Sequence, residues 1–342
     1  MTALTKRSEW VDVAKGIGIL LVVYGHVQQG LYRSGMNVPE YFYYAEKIIY
    51  SFHMHLFFFL SGFFIERSLA KGTSVFLWDK VKVLLYPYFI WSLLHGGIQV
   101  ILSPYTNDKL TVLDLLQVIY KPIAHFWFLQ ALFLSCLIYT LLKKYLPLYM
   151  LLIIALAMYI GKFYMDPGPI HNVSRMFLFF VVGSMFSFIT PGVLKEIGGG
   201  KLIFIGIFFI VFQISAFYFN IVNYPFEQFF AAFIGIVFVI GLSIYFQGNI
   251  ISGIIGYLGF LAMPIYLAHA MASAGTRIVL TKAFHVQDIY VHLVFGCIAA
   301  VALPVLLFIV TNRLGFPWLY TLSKKSALAQ TYTAYSLRKR KA

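Results

Sequence analysis

Long apolar runs separated by short polar connections make up most of the chain. Runs able to span a ~30 Å hydrocarbon layer lie at about residues 11–29, 48–65, 83–102, 124–142, 146–164, 174–190, 202–221, 227–246, 250–271 and 289–311. They predict an all-α, polytopic integral membrane protein of about ten transmembrane helices. The first run follows Lys6 and Arg7 and lacks a small-residue cleavage site, so it is expected to stay as a signal-anchor. No internal repeat, low-complexity tract or separate soluble domain interrupts the pattern. The expected division is a transmembrane domain over 1–315 and a basic tail over 316–342, with GVLKEIGGGK (192–201) as a flexible cytoplasmic turn.

Composition agrees with this pattern. Of 342 residues, 61% are hydrophobic and 11% charged, more apolar than any soluble core requires. The net charge of +14 raises nucleic acid as a partner, but the cations sort by connection. With a cytoplasmic N-terminus, eighteen of the twenty-six Lys and Arg fall on the cytoplasmic side. The opposite side keeps Arg33, Lys47, Lys109, Lys121, Lys162, Arg175, Arg277 and Lys282. This positive-inside bias predicts an even number of spans and both termini in the cytoplasm. The LRKRK tail then serves topology and the lipid surface, and no nucleic-acid partner is expected. Cys136 and Cys297 fall inside spans and are expected to pack as small hydrophobes.

None of the nine histidines falls on the cytoplasmic side. Interfacial placement accounts for His95, His171, His285 and His292. His26 differs, because it ends the unbroken run GIGILLVVYG and a polar residue at that depth is a functional candidate by default. It is eleven positions beyond Lys15, which puts the two on one helix face roughly 16 Å apart. The twelve carboxylates all sit at span ends or in loops, which disfavours a proton-coupled transporter. No metal is expected either: His53 and His55 diverge by ~200° on a helix, and no Cys or carboxylate lies near to complete a site.

The second span, SFHMHLFFFLSGFFIERS, contains Ser61 and Gly62, which permit close helix approach. The next connection, FLWDKVKVLLYPYFIW, carries Lys80 and Lys82 ahead of Pro87, which starts or kinks the third span. These lysines either anchor topology or join Lys15 and Arg67 in a cationic mouth for a phosphate-bearing ligand. Outside, the aromatic run Tyr41 to Tyr44 offers flat faces with hydroxyl handles, Tyr43 among them, for a sugar-like ligand.

WVDVAKGIGILLVVYGH resembles the signature of the acyltransferase 3 family of membrane acyltransferases: a basic residue, ten residues and a histidine in the first helix. Lys15 and His26 match that spacing. FHMHLFFFLSGFF resembles the family's second-helix motif, although proline often stands at the position of His55. HFWFLQALF and IYLAHA resemble weaker motifs and bring in Trp127 and His269. The likeness runs from about Trp10 to the end of the last span.

The resemblance implies a bacterial inner-membrane enzyme that uses cytoplasmic acetyl-CoA to O-acetylate a carbohydrate across the membrane, of O-antigen, exopolysaccharide or lipid-linked type. Membrane lipid is then the only other partner expected. The fused esterase-like domain of some members is not expected in this chain. Lys15, with Asp12, Arg67, Lys80 and Lys82, would meet the donor's phosphates. Asp12 has the alternative of pairing with Lys15. His26 would act as general base on the sugar hydroxyl or as an acyl relay. No carboxylate of the first helix can orient it, leaving His53 or His269 for that task; Trp127, His269 and Tyr43 would face the acceptor. A glycan transporter or flippase without acyl transfer is the competing class, and a polysaccharide polymerase a weaker one.

Overall fold

The first apolar run folds as one unbroken helix, α1 (Glu9–Arg33), around which half of the protein is assembled. A computed structural model of the chain describes residues 9–101, 110–165, 168–188, 197–218 and 224–322. Expectations for Lys6, Arg7, Lys109, Lys195, the first half of the 192–201 turn and the tail beyond 322 lie outside the described residues. The remaining helices are α2 (Glu40–Phe63), α3 (Ile65–Leu69), α4 (Thr73–Lys80), α5 (Tyr86–Ile101), α6 (Val112–Leu116), α7 (Trp127–Lys143), α8 (Leu148–Gly161), α9 (His171–Phe186), α10 (Gly199–Tyr218), α11 (Pro225–Tyr245), α12 (Ile250–Phe260), α13 (Ala262–Lys282) and α14 (Ile289–Arg313). No strand occurs among the described residues.

Small residues set the two closest seams. A Cβ at Gly259 of α12 would lie 1.8 Å from the Asp12 carbonyl oxygen, and one at Gly16 would lie 2.0 Å from that of Ile255. The backbones of α1 and α12 are therefore in direct contact, as small residues permit between membrane helices. The second seam joins α2 to α9. A Cβ at Gly62 would lie 1.9 Å from the Phe180 carbonyl oxygen, and one at Gly183 would lie 2.1 Å from that of Phe59. The close approach expected at Gly62 is thus observed. Phe177, Phe179 and Phe180 are fully buried beside this seam, making α9 an interior helix.

The breaks follow from local chemistry. Pro264, in the first turn of α13, has no N–H to return to the preceding turn, and α12 and α13 meet there at 75°. Pro87 opens α5 directly after a π-helical turn over Val81–Leu85, so the segment entering the third apolar run is locally underwound. Asp288 caps α14 by accepting from the Tyr290 and Val291 amides at 2.9 Å.

Six helical segments are long and apolar enough to cross a membrane: Glu9–Arg33, Thr73–Ile101, Val112–Lys143, Gly199–Ala216, Pro225–Tyr245 and Ile289–Arg313. The bent pair α12 and α13 raises the number to seven. These segments are consistent with a multi-pass membrane protein. The expected ten also counts α2, α8 and α9, which composition does not carry. Glu40, Glu46 and Lys47 fall in the first turns of α2, and 14 and 16 residues give α8 and α9 a rise of only ~21 and ~24 Å. Packing, rather than hydropathy, brings α2 and α9 into the bundle. By contrast, α10 and α14 bury only 22% of their most apolar windows and turn the rest outward, as lipid-facing helices do.

The seams predict a graded response to methyl addition. Gly62→Ala should lower folded yield and thermal stability in detergent by about 1–3 kcal/mol, as overpacking does. Gly253→Ala, where a Cβ meets nothing within 4 Å, should be neutral or slightly stabilising. Thermal unfolding of the two variants checks this; equal effects would contradict the seam.

Candidate functional site

At one end of α1 four imidazoles converge. The ring of His26 lies 5.0 Å from that of His269 on α13 and 5.7 Å from that of His125, centroid to centroid. His125 is in turn 4.7 Å from His269 and 5.6 Å from His95 of α5. His95, His125 and His269 are buried, while His26 keeps part of its surface open. A fifth ring joins through Tyr50, which lies 6.4 Å from His26 and 4.8 Å from His53. Gly25 makes room for this, since a Cβ there would sit 2.7 Å from the Tyr50 ring.

The backbone fixes several of these rings. His269 donates from Nδ1 to the Tyr266 carbonyl at 2.7 Å, which leaves its Nε2 as a lone pair with no protein partner. His53 likewise bonds through Nδ1 to the Ile49 carbonyl at 2.7 Å. Tyr266 also donates its hydroxyl to the His125 carbonyl, tying α13 to the turn before α7. That turn contains Ala124 at φ +48°, a left-handed conformation unusual for alanine. His125 Nε2 and His95 Nδ1 are buried without a partner. His26 makes no hydrogen bond among the described residues, so its nitrogens are open to a ligand. Among those residues, no three His, Cys, Asp or Glu are set to hold a metal ion.

At the other end of α1, Lys15 and Lys80 line one cavity of about 190 Å³ together with Ser61, Phe64, Ser68 and Cys136. Here α1, the end of α2 and the π-turn region meet, so two of the four cations expected to form a mouth do share one. Lys80 Nζ also lies over the Phe76 ring at 5.2 Å. Lys82 does not join them: it pairs with Asp79 at 3.1 Å and lies over Trp78. Arg67 is exposed and outside the cavity lining. Its neighbour Glu66 is taken up by Lys143 at 3.6 Å and by the Tyr139 hydroxyl. Asp12 is buried against α12.

Of the three residues expected to face the acceptor, the structure brings only His269 into the cluster. The Trp127 ring packs on Phe128, and Tyr43 is exposed, with its ring on Tyr44 and under the Lys47 ammonium at 4.3 Å. His95, expected at the interface, is instead buried in the cluster. His125 was not singled out by sequence, although it opens the HFWFLQALF stretch. The one available signal was that all nine histidines avoid the end that carries Lys15.

The profile of a family described as an acyltransferase domain matches residues 8–309. The chain belongs to this acyltransferase family. It is 31% identical over 143 residues to a nodulation protein, NolL, of Mesorhizobium japonicum, covering 39% of this chain and 35% of that protein. It is 28% identical over 180 residues to NolL of Sinorhizobium fredii, covering 52% of this chain and 48% of the relative. The matched region thus spans half or less of these relatives' lengths. No solved structure matches the chain significantly.

Proposed function

We propose that the protein transfers an acetyl group from acetyl-CoA, taken from the cytoplasm, to a hydroxyl of a surface or lipid-linked carbohydrate on the far side of the bacterial inner membrane. One observation carries this reading: α1 presents Lys15 to a lysine-lined cavity at one end and His26 to a histidine cluster at the other. Family membership supports acyl transfer over the transporter alternative.

The donor's anionic phosphates belong with Lys15 and Lys80. A cavity of about 190 Å³ has room for a slender acyl-bearing arm and is too small for a nucleotide, given that drug-sized pockets run to ~300 Å³ and more. The nucleotide therefore stays at the mouth while the arm reaches along α1. Lys82 has a secondary part, because Asp79 already neutralises it.

At the histidine end, His26 takes the proton from the acceptor hydroxyl as its oxygen attacks the thioester carbonyl. The C–O bond forms, the C–S bond breaks, and the imidazolium returns the proton to the departing thiolate. His269, its ring 5.0 Å from that of His26, would accept a hydrogen bond at Nε2 from the protonated nitrogen of His26 as the acceptor binds. His26 is then held in one tautomer with its other nitrogen free as the base. His53 stands farther off, behind Tyr50, as a positioning residue.

His26→Ala should lower acetyl transfer by roughly 10²–10⁴-fold in proteoliposomes supplied with acetyl-CoA and the carbohydrate acceptor, with the protein still inserted. Activity near that of the unmodified protein removes His26 from the mechanism. His269→Ala should cause a smaller loss in kcat, leave the KM for acetyl-CoA unchanged and displace the pH dependence of kcat. A loss confined to KM contradicts its positioning role.

Lys80→Gln should weaken acetyl-CoA binding about tenfold, the loss of one hydrogen bond to a charged group. Lys82→Gln should change it no more than a few-fold. Calorimetric titration in detergent compares them, and equal affinities in all three proteins would return both lysines to a topological role.

A further inference from the structure

A second pair of cations lies away from the lysine cavity, and the mechanism above does not use it. Lys162, directly after α8, donates from Nζ to Gln228 Oε1 at 3.3 Å and rests over the rings of Tyr159 and Phe163 at 4.5 and 4.3 Å. Tyr159 is pinned in turn by its hydroxyl bond to the Pro225 carbonyl at 3.1 Å, and its ring meets Phe179 of α9 at 6.0 Å. Arg175 is one helical turn before Phe179, on the same face of α9. Lys162 and Arg175 therefore lie on either side of the ring contact between Tyr159 and Phe179.

The seam between α2 and α9 fixes how far along the bundle this pair lies. Phe179 packs on His55 at 4.4 Å and Gly183 packs on Phe59, so both helices advance four residues together and run parallel. One turn back, Arg175 falls level with residue 51 of α2, beside Tyr50 and His53. The pair therefore belongs to the histidine end of the molecule, connected to His26 through His53 and Tyr50.

Both side chains are half-buried, and among the described residues no carboxylate forms an ion pair with either. Glu227, beside Gln228 in sequence, keeps a buried carboxylate oxygen without a partner and does not reach them. Two like charges held together half-buried in a helix bundle are costly unless an anion joins them. Arginine offers a planar fork and lysine a point charge. A phosphate, with a charge of ~−1.5 to −2, neutralises both cations, whereas one carboxylate leaves a surplus positive charge.

We propose that Arg175 and Lys162 bind a phosphate group carried by the acceptor, anchoring it so that its hydroxyls reach His26. This rests on the acyl-transfer reading and narrows the acceptor to a phosphate-bearing glycan, such as one still attached to a lipid carrier. Gln228 completes the site by holding Lys162 in place.

The test is a titration of the full chain with inorganic pyrophosphate in a neutral detergent, followed by thermal unfolding. A Lys15→Gln/Lys80→Gln background keeps the other cationic cavity from contributing. Saturable stabilisation is expected, with an apparent affinity at least tenfold weaker after adding Arg175→Gln and Lys162→Gln. Should that combination fail to fold, Arg175→Lys alone keeps the charge, loses the fork and should weaken binding several-fold. An unchanged titration in either variant overturns the proposal.

Repeating the titration in nanodiscs separates the two sources of phosphate. Binding in both phosphatidylcholine and phosphatidylglycerol nanodiscs supports an acceptor phosphate. A response abolished by phosphatidylglycerol assigns the pair to a lipid headgroup and overturns the acceptor assignment. Acetyl-CoA binding to the chain with Lys15 and Lys80 intact is measured separately. Its absence there, with the pyrophosphate response retained, sinks the donor reading and leaves the anion site standing.

Discussion

Backbone contact between α1 and α12 at Gly16 and Gly259 is the constraint on which the remaining geometry depends. It presses α1 against the start of the bent α12–α13 pair, so that α13 carries His269 up to His26. Glu9 reinforces the seam by accepting from Ser252 Oγ at 2.8 Å and the Gly248 amide at 3.1 Å. A side chain at either glycine would push α1 outward and part the histidine rings, since packed interiors do not absorb displacements of that size. In this protein a glycine seam sets a distance between imidazoles.

The same helix separates two electrostatic environments. Polar side chains are costly in hydrocarbon and gather at the ends of spans, so one helix can offer a lysine to one aqueous side and a histidine to the other. In the proposed reaction the donor's charged part would stay with the lysines, and the reacting carbonyl would travel to the histidines on a flexible arm. An acyl group would then cross most of the membrane without a charged carrier doing so. The Arg175 and Lys162 pair extends this scheme by placing a second anion site at the histidine end.

Much of the helical architecture was legible in the chain, because long apolar runs and short polar connections leave few alternatives to helices. The spacing from Lys15 to His26 identified the helix that links both ends, and Gly62 marked a seam. Tertiary convergence was not legible. His95 and His125 lie 30 residues apart on different elements, and only a fold that brings α5 and the turn before α7 together shows His125 beside His26 and His95 beside His125. Which of the expected cations share one cavity was not legible for a related reason. Charge counting cannot see that Asp79 engages Lys82 or that Arg67 lies outside the cavity. The aromatics near Tyr43 form an exposed cluster of their own, which composition alone could not distinguish from a sugar platform.

The central claim is that the two ends of α1 address opposite sides of the membrane, and side-specific labelling tests it most directly. Asn37, in the connection between α1 and α2, and Lys71, beyond the end of α2, are both exposed. Single cysteines at these positions, with Cys136 and Cys297 replaced by serine, are treated with a membrane-impermeant thiol reagent on intact cells. Asn37→Cys should label from outside and Lys71→Cys only after the membrane is opened. Labelling of both from one side, or of Lys71→Cys alone from outside, would contradict transfer across the membrane along α1.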